Sequence, residues 1–431
     1  MVKQGFLRAN IPFCTAVAPG HSLIDTAGEQ GWSRKLVQGD FLLKHINTSF
    51  ANNVVCFQKA CQDLVLTVPV QKAEEEKLYR MSVSEVEVYC FDTGIGICSF
   101  HIPCTEGMDE AALANMCSVL HCSVPHKDGQ KSTVIYQGED ETYLSCLAEQ
   151  YLRQLLGDSF ALFGMFNETS LRRINMFSVV LCGENKDQAD STACDELCYR
   201  LANAFDDRDQ KLPSVEQALL RQQKYIRWCF TNRGSSVVAN LTGQVQNDKF
   251  LQSRWVYSTM TNYLYLYLMV LHEKFAIYSF LNSIAEDPDM SQMQINQKAL
   301  LDFNSKYIFS VVSDEQNLQT VYLKFKESTN TDDLYAELLD QLRHMFDYAQ
   351  FQEDKNNETE SHKLNLISLV ISVVCSVSII FDTVDLFSSH GCSLGLQSVK
   401  NAIFTGVIAL EGILFVALLV LVIAKNKKRT K

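Results

Sequence analysis

The chain has 431 residues, of which 47% are hydrophobic, and its formal net charge at pH 7 is −12. A chain of this length can hold two or three domains. The acidic balance argues against a general nucleic-acid binder, because such proteins carry a basic face. The N-terminal sequence MVKQGFLRANIPFCTAVAPGHSL has no sustained apolar stretch and predicts no secretory signal. The fifteen cysteines are therefore expected as free thiols in reducing cytosol.

Residues 1–245 predict a mixed α+β cytosolic domain. Two runs with apolar residues at three- and four-residue spacing predict helices at 140–157 and 192–205. Runs rich in β-branched and aromatic residues predict four strands, namely VEVYCF (86–91), IGICSFHI (95–102), INMFSVVLC (174–182) and SSVVANL (235–241).

The motif FDTGIG at 91–96 lies between two of these predicted strands. In a dinucleotide-binding fold such glycines open a helix, whereas here a strand follows. We therefore interpret the motif as a hairpin turn or a bulge turn that carries Asp92. Its glycines would still let the backbone approach a bound nucleotide closely.

A cluster of cysteines and histidines at 98–126 contains residue types that bind zinc. Its spacings match no standard zinc knuckle or ribbon. We favour packed thiols with histidines at the surface, and a metal site is the alternative. Neither a Ser-His-Asp triad, a Walker motif nor a carboxylate pair stands out, so we expect no enzyme. The members of the cluster are Cys98, His101, Cys104, Cys117, His121, Cys122 and His126.

Residues 246–330 predict long cytosolic helices. One of them carries the apolar run YLYLYLMVLHEKFAIYSFL at 263–281. The centre of this run holds His272, Glu273 and Lys274, and three adjacent polar side chains are costly in lipid. We therefore interpret it as a helix buried inside the cytosolic domain.

After a helix predicted at 290–327, one uninterrupted helix is predicted from Thr331 to Phe381, because neither Pro nor Gly occurs between them. At 1.5 Å per residue it would be about 75 Å long. Its residues 331–363 form a stalk with an acidic face that we expect in solvent. The opposite face carries apolar residues at three- and four-residue spacing, namely Leu334, Leu338, Leu342, Met345 and Ala349.

Two transmembrane helices are predicted near the C-terminus, at 364–381 and 402–424, because both are apolar and long enough to span a bilayer. The tail 425–431 holds five basic residues, whereas the connecting loop 382–401 carries two aspartates and one lysine. The positive-inside rule then places the tail in the cytosol. Two spans return the large domain to the same side, so we expect both termini in the cytosol and the spans in the cell (inner or plasma) membrane.

The first span carries a polar stripe. Its members share a sector of about 80° on a helical projection, namely Asn365, Ser368, Ser372, Ser376, Ile379 and Thr383. Such a stripe either packs against another helix through small residues or lines a pore. The pore interpretation requires several copies, because one chain with two spans cannot enclose a channel.

Two aspartates follow the stripe at the outer end of the same helix. In a ring of subunits, Asp382 and Asp385 would place carboxylates at the mouth of the pore, where they would concentrate cations. The alternative is that they only cap the span at the interface. Glu411, near the middle of the second span, is an intramembrane carboxylate and a functional candidate. It can either form a hydrogen bond with a serine of the stripe and so hold the two spans together, or coordinate an ion.

This order of elements resembles the CorA family of magnesium transporters: an α+β domain, long helices, a stalk that continues as the first of two spans, and the basic tail KNKKRTK. The resemblance covers most of the chain in layout. It implies a homopentamer in which the first span lines the pore and the second forms an outer ring. It also implies a divalent cation, such as magnesium, as the transported or regulatory ion. The Gly-Met-Asn signature of the family is absent, and IIFDTVDLF (379–387) stands in its place.

Divergent chains of this layout are also similar to the membrane effectors encoded beside type III CRISPR systems. That resemblance implies an antiviral pore opened by a nucleotide messenger bound to the cytosolic part. A third alternative is a membrane-anchored binding module that conducts no ions. None of the three binds nucleic acid directly.

Overall fold

The computed structural model describes residues 1–16, 27–72, 75–125, 133–162, 173–183, 191–205, 218–223, 225–241, 249–283 and 290–389. The chain divides into two compact units, Met1–Phe346 and Asp347–Lys431. Over 373–389 the description covers the helical backbone and not the side chains.

A ten-stranded sheet forms the middle of the first unit. Its longest strand, β1 (Val2–Thr15), pairs antiparallel with β7 (Ile95–Pro103) on one side and with β11 (Asn175–Gly183) on the other. The remaining strands are β2 (Ser33–Lys35), β3 (Val54–Ala60), β6 (Glu85–Phe91), β10 (Phe160–Leu162), β12 (Leu219–Gln223), β13 (Ile226–Phe230) and β14 (Gly234–Leu241). The order is β12-β13-β14-β11-β1-β7-β6-β3-β2, with β10 paired to the end of β1. Strands β11 and β14 are parallel, and the other neighbouring pairs are antiparallel.

A smaller sheet of four strands belongs to the same unit. Its order is β5-β4-β8-β9, and it is antiparallel throughout. Helix α2 (Glu110–His121) packs against this sheet through β4. The strands are β4 (Val65–Lys72), β5 (Glu75–Ser82), β8 (Ile135–Gln137) and β9 (Asp140–Thr142).

Helices cover both faces of the large sheet. Ser178 and Phe177 are neighbours on β11, so their side chains point to opposite faces. Ser178 contacts Cys117 of α2, on the face that α4 (Ser191–Asn203) also covers. Phe177 contacts Tyr267 of α5 (Leu264–Ser283) on the other face. The remaining short helices are α1 (Lys44–Asn53) and α3 (Leu144–Leu156). The first unit is therefore an α/β/α sandwich, and the prediction of an α+β domain followed by a long helical region is confirmed.

An aromatic cluster joins the sheet to the helices on the α5 face. Phe177, Trp228 and Phe230 from the sheet meet Tyr267 of α5 and Phe325. The ring centroids of Tyr267 and Phe325 lie 5.3 Å apart, in the tilted geometry that aromatic pairs favour. Each such buried side chain contributes about 1.5–3 kcal/mol to stability. This cluster fixes the position of α5 on the sheet.

The apolar run predicted as a buried helix lies inside the first unit. Every residue from Leu264 to Ile277 is buried, which confirms that interpretation. Within the described residues, the segment Phe250–Ser283 is the one helical stretch that is long and apolar enough to span a membrane, and 78% of its apolar window is buried inside the protein. Length and composition alone therefore do not mark it as a membrane span.

The prediction of a single helix at 290–327 is wrong, because the chain forms two helices there. Between them, Val312 and Ser313 hydrogen-bond to the backbone of Leu43 and Phe41. These bonds hold the segment around Val312 and Ser313 against the residues that precede α1, so the helix is interrupted there. The two helices are α6 (Met290–Tyr307) and α7 (Gln316–Thr329).

The last helix, α8 (Thr331–Ser389), has 59 residues without interruption, as the absence of Pro and Gly predicts. The stalk face predicted as apolar is buried or half-buried, at Leu334, Leu338, Leu342, Met345 and Ala349. The acidic face is exposed, at Asp332, Asp333, Glu337, Asp340, Asp347, Glu353 and Asp354. The amphipathic interpretation of the stalk is confirmed.

Candidate functional site

The predicted pore-lining residues lie on α8. Asn365, Ser368 and Ser372 are exposed. The Ser372 hydroxyl donates to the carbonyl oxygen of Ser368 at 2.8 Å, so it already has a partner within its own helix. This hydroxyl fits a lipid-facing as well as a water-facing position. The side chains of Ser376, Ile379, Asp382, Thr383 and Asp385, and the whole of Glu411, lie outside the described residues.

The start of the predicted first span is exposed on all sides. Every residue from 361 to 372 is exposed, including Leu364 at 65%, Ile367 at 53% and Ile371 at 56%. A surface helix of a soluble protein buries one apolar stripe and keeps a polar face. From Leu364 to Ser372 this segment instead exposes apolar side chains on every side except the one that carries Asn365, Ser368 and Ser372. An exposed apolar surface of this kind marks a contact with a membrane or with another protein.

The cysteines and histidines predicted as a cluster do not converge on one point. Cys98 is buried on β7, and the Cys117 thiol donates to the carbonyl oxygen of Leu201. Burial raises the pKa of Cys117 to about 12, so this thiol stays protonated. Across the described ranges, no group of three His, Cys, Asp or Glu side chains could hold a metal ion, and His126 lies outside those ranges. The expectation of packed thiols is confirmed for Cys98 and Cys117, whereas Cys104 and Cys122 are half-buried.

The expectation of surface histidines is wrong for His121 and His101. His121 is 2% exposed, its Nδ1 lies 2.7 Å from the carbonyl oxygen of Ile174, and burial lowers its pKa to about 4. His101 is largely buried, and its Nδ1 lies 3.0 Å from a carboxylate oxygen of Glu85. A histidine can enter the interior when its ring nitrogen finds such a partner, and spacing along the chain does not reveal the partner.

The FDTGIG motif forms the hairpin turn between β6 and β7, as predicted. Gly94 has φ +80°, a conformation that residues with a side chain rarely adopt. A Cβ atom at Gly96 would overlap the ring of Phe13 on β1. The two glycines therefore serve the turn and the sheet packing, and they leave Asp92 and Thr93 at the tip.

A cavity of about 340 Å³ lies beside this turn, between α5 and α6. Its aromatic side chains are Phe280, Phe303 and Tyr307, and its charged side chains are those of Asp92, Asp302 and Lys306. The Lys306 ammonium lies 2.7 Å from a carboxylate oxygen of Asp92, whose other oxygen accepts a hydrogen bond from Tyr307. The remaining lining comes from Thr93, Ile95, Ala276, Ser279, Ser283 and Ala299.

His272 connects this cavity to the interior of α5. Its ring stacks on Phe91 with centroids 3.9 Å apart, and its Nε2 lies 2.8 Å from the hydroxyl of Thr93. The centroid of Tyr307 is 4.4 Å away. Burial lowers the pKa of His272 to about 3, so the imidazole is neutral at physiological pH. Two residues of the cavity wall, Thr93 and Tyr307, therefore pack directly on His272.

Glu273, the next residue, connects α5 to α8 through one lysine. Glu273 is fully buried, and its Oε1 lies 3.2 Å from Nζ of Lys326 on α7. The same ammonium lies 2.6 Å from a carboxylate oxygen of Asp332 in the first turn of α8. Burial raises the pKa of Glu273 to about 7, and Lys326 offsets this only in part. The two carboxylates raise the pKa of Lys326 although burial lowers it.

Lys274 points to a third element. Its ammonium donates to the side-chain oxygen of Asn232, in the turn between β13 and β14. Burial lowers the pKa of Lys274 to about 8. The three polar residues that argued against a membrane helix are thus ties to three neighbours: the β6–β7 turn, the base of α8 and the β13–β14 turn.

Sequence reasoning pointed to this region without identifying its role. The run His272, Glu273, Lys274 was informative because charged residues in an apolar helix need partners. Lys326, the partner of Glu273, lies more than fifty residues further along the chain, and Thr93 and Asn232, the partners of the other two, lie more than forty residues before them, so periodicity gave no signal for these contacts. Compared with known proteins, the chain matches no protein-family model and no curated protein.

Proposed function

We propose that this protein is a homo-oligomeric membrane channel for cations, controlled by its α+β domain through α8. The observation that carries the proposal is the exposed apolar segment of α8 at 364–372. This segment belongs to the same helix whose first turn is held to α7 by the ion pair of Asp332 with Lys326. Lipid supplies the covering that water cannot. The predicted spans 364–381 and 402–424 then form the membrane part, with both termini in the cytosol.

The polar stripe supports a pore once several copies assemble. Asn365, Ser368 and Ser372 lie on one side of α8, and the same sector of the sequence continues to Thr383. In a pentamer of the kind the CorA resemblance implies, this side faces the axis. Asp382 and Asp385 then attract cations to the mouth, magnesium among them. Glu411 of the second span holds the first span or binds an ion.

The cavity beside the β6–β7 turn supports control of the channel by the α+β domain. Thr93 and Tyr307 of its wall pack on His272, and Glu273 follows at once on α5. In this proposal a change in the cavity acts on His272, passes along the backbone of α5 to Glu273, and acts through Lys326 on the first turn of α8. We assign the sensing role to this group of contacts and the response to the inclination of α8.

A nucleotide messenger is the second candidate for the controlling ligand. The charged side chains of this cavity are two carboxylates, from Asp92 and Asp302, and one ammonium, from Lys306. The lining thus carries one net negative charge, which disfavours phosphates. For this reason we place cation control ahead of the messenger-gated antiviral pore.

Conductance across planar bilayers over a series of salt concentrations tests the proposal. Asp382→Asn removes one charge from every subunit and keeps the size of the side chain. We expect lower cation conductance, with the difference from wild type shrinking as salt screens the ring. Asp385→Asn should have a smaller effect, because this residue lies further from the stripe.

Ser372→Leu tests the stripe itself. We expect it to block the pore at any salt concentration, because leucine is larger and apolar. Ser378→Leu is the matched control, since Ser378 lies on the same span about 120° away from the stripe. Unchanged currents in both Asp382→Asn and Ser372→Leu would show that the stripe is a packing seam. No current from the wild type would favour the membrane-anchored binding module.

A further inference from the structure

A second cavity, of about 260 Å³, lies at the start of α7, well apart along the chain from the β6–β7 turn. Its apolar wall combines Trp255, 7% exposed, and Leu318, 2% exposed, with the more exposed rings of Phe41 and Phe250. Small-ligand sites are concave and are lined mostly by hydrophobic and aromatic side chains with a few polar groups. The remaining lining residues are Gln222, Gln223, Arg254, Ser258, Tyr263, Glu315 and Asn317.

Two π-helical turns form one side of this cavity. The first is Phe250–Trp255 and the second is Thr259–Tyr263, separated by a single α-helical turn. π-Helical turns are rare and are found frequently at functional sites. The first contributes Phe250, Arg254 and Trp255 to the lining.

One polar group in the lining is held in a fixed orientation. The side-chain oxygen of Gln222 accepts a hydrogen bond from the indole nitrogen of Trp228 at 2.9 Å. The amide nitrogen of Gln222 donates to the Tyr263 hydroxyl at 3.5 Å. Its amide edge therefore offers a defined donor and acceptor pattern beside the aromatic rings. Gln223 and Asn317 add two further amides at the rim.

Charge and size limit the occupant. The lining has one positive side chain, Arg254, and one negative side chain, Glu315, so it is neutral overall. A ligand with several phosphates would need more cations than this. The volume of about 260 Å³ lies below the roughly 300–1,000 Å³ of pockets for drug-sized ligands, so the ligand is small.

We infer that this cavity binds a single planar heteroaromatic ring system without net charge, with its faces against the aromatic side chains and its edge hydrogen-bonded to the amides. A free nucleoside and an aromatic amino acid share this chemistry. The zwitterion of an amino acid would use Arg254 and Glu315 as well. The site is independent of the proposed conduction.

Isothermal titration calorimetry of the full chain in detergent micelles tests the inference, with adenosine, guanosine and L-tryptophan as probes. We expect at least one to bind, and for a nucleoside the affinity should not change between about 0.05 and 0.5 M salt because the ligand is uncharged. Binding only of the nucleosides, or only of tryptophan, identifies the source. Phe250→Ala should weaken binding about tenfold, since it removes one stacking ring.

Tyr257→Ala is the matched control, because Tyr257 is 59% exposed on the same helical stretch and does not line the cavity. We expect unchanged affinity. Asn317→Ala provides a second variant at the rim, exposed and therefore compatible with folding. The inference is overturned if none of the three probes binds at concentrations up to about 1 mM. It is also overturned if ATP binds about tenfold more tightly than adenosine, because the site would then prefer anionic ligands. Heat of binding requires no ion current, so this outcome is separate from failure of the channel proposal.

Discussion

At the scale of single residues, the first unit contains a buried ionic network on the face of the large sheet that α5 covers. Arg8 is the register partner of Phe177, so its side chain lies on that face. Its guanidinium donates to Glu87 at 2.8 Å and to Glu85 at 3.0 Å, and Lys35 also bonds to Glu87. Arg8 and Glu87 are almost completely buried. Each charge in this network depends on its partners, because a buried ion without a counterion is very costly.

We expect Arg8→Met to lower the free energy of unfolding by about 3–5 kcal/mol, since it leaves the Glu87 carboxylate buried without its arginine. Denaturant unfolding followed by tryptophan fluorescence measures the change. Arg153→Met is the control, because the pair of Arg153 with Asp158 is exposed and contributes about 1 kcal/mol or less. Equal effects of the two substitutions would contradict the role given to burial.

Glu273 gives a pH dependence whose sign follows from its raised pKa. In the folded protein burial raises this pKa to about 7, against about 4.3 for an unperturbed glutamate. The folded state therefore holds the proton more tightly than the unfolded state. The stabilisation is present below about pH 4 and is lost as the pH rises to about 7.

We expect Glu273→Gln to remove this dependence, because glutamine resembles the protonated acid at every pH. The difference in unfolding free energy between the variant and the wild type should grow in favour of the variant from about pH 5 to pH 8, by on the order of 2 kcal/mol. Comparing the two proteins cancels the titration of all other groups. A difference that is constant with pH would show that Glu273 does not titrate in this range.

Among the elements, those with a regular pattern could be predicted from the sequence and those with mixed surroundings could not. The four predicted strands became β6, β7, β11 and β14, because their apolar and β-branched runs are buried. The central strand β1 gave no such signal. β1 is buried on both faces and carries the polar residues Arg8 and Asn10, whose partners Glu87 and Asn175 lie far along the chain.

The candidate site was predictable only in part for the same reason. The turn FDTGIG could be predicted, since its glycines act locally. The contacts of Asp92 with Lys306 and Tyr307 join residues more than two hundred positions apart, and no local pattern encodes them. The two-helix form of α6 and α7 was missed because hydrogen bonds to Phe41 and Leu43 override helical propensity there.

The continuity of α8 leads to a prediction about control. We expect Glu353→Pro to break the helix, at a cost of about 3 kcal/mol or more, because proline lacks the backbone donor and its ring clashes with the preceding turn. Conductance should then no longer respond to metal ions or other ligands added on the cytosolic side. Glu353→Ala is the control, since it removes the same exposed carboxylate and keeps the helix. A proline variant that folds and responds like the wild type would refute coupling through α8.

At the scale of the whole molecule, the proposed channel depends on assembly, because one chain with two predicted spans cannot enclose a pore. We expect native mass spectrometry in detergent to show a homo-oligomer, with a pentamer as the dominant species. In the proposed assembly the stripe serines face one another or water and do not face lipid. A spectrum that contains only the monomer would contradict both the pore and the oligomer.

The three consecutive ties of α5 also fix its angular register. His272, Glu273 and Lys274 leave the helix about 100° apart and each meets a different neighbour: Thr93, Lys326 and Asn232. A rotation of α5 about its own axis breaks all three contacts together, and a sliding movement does the same. The three contacts together hold α5 at this azimuth. We therefore expect a signal that passes through α5 to move the whole helix as one rigid element.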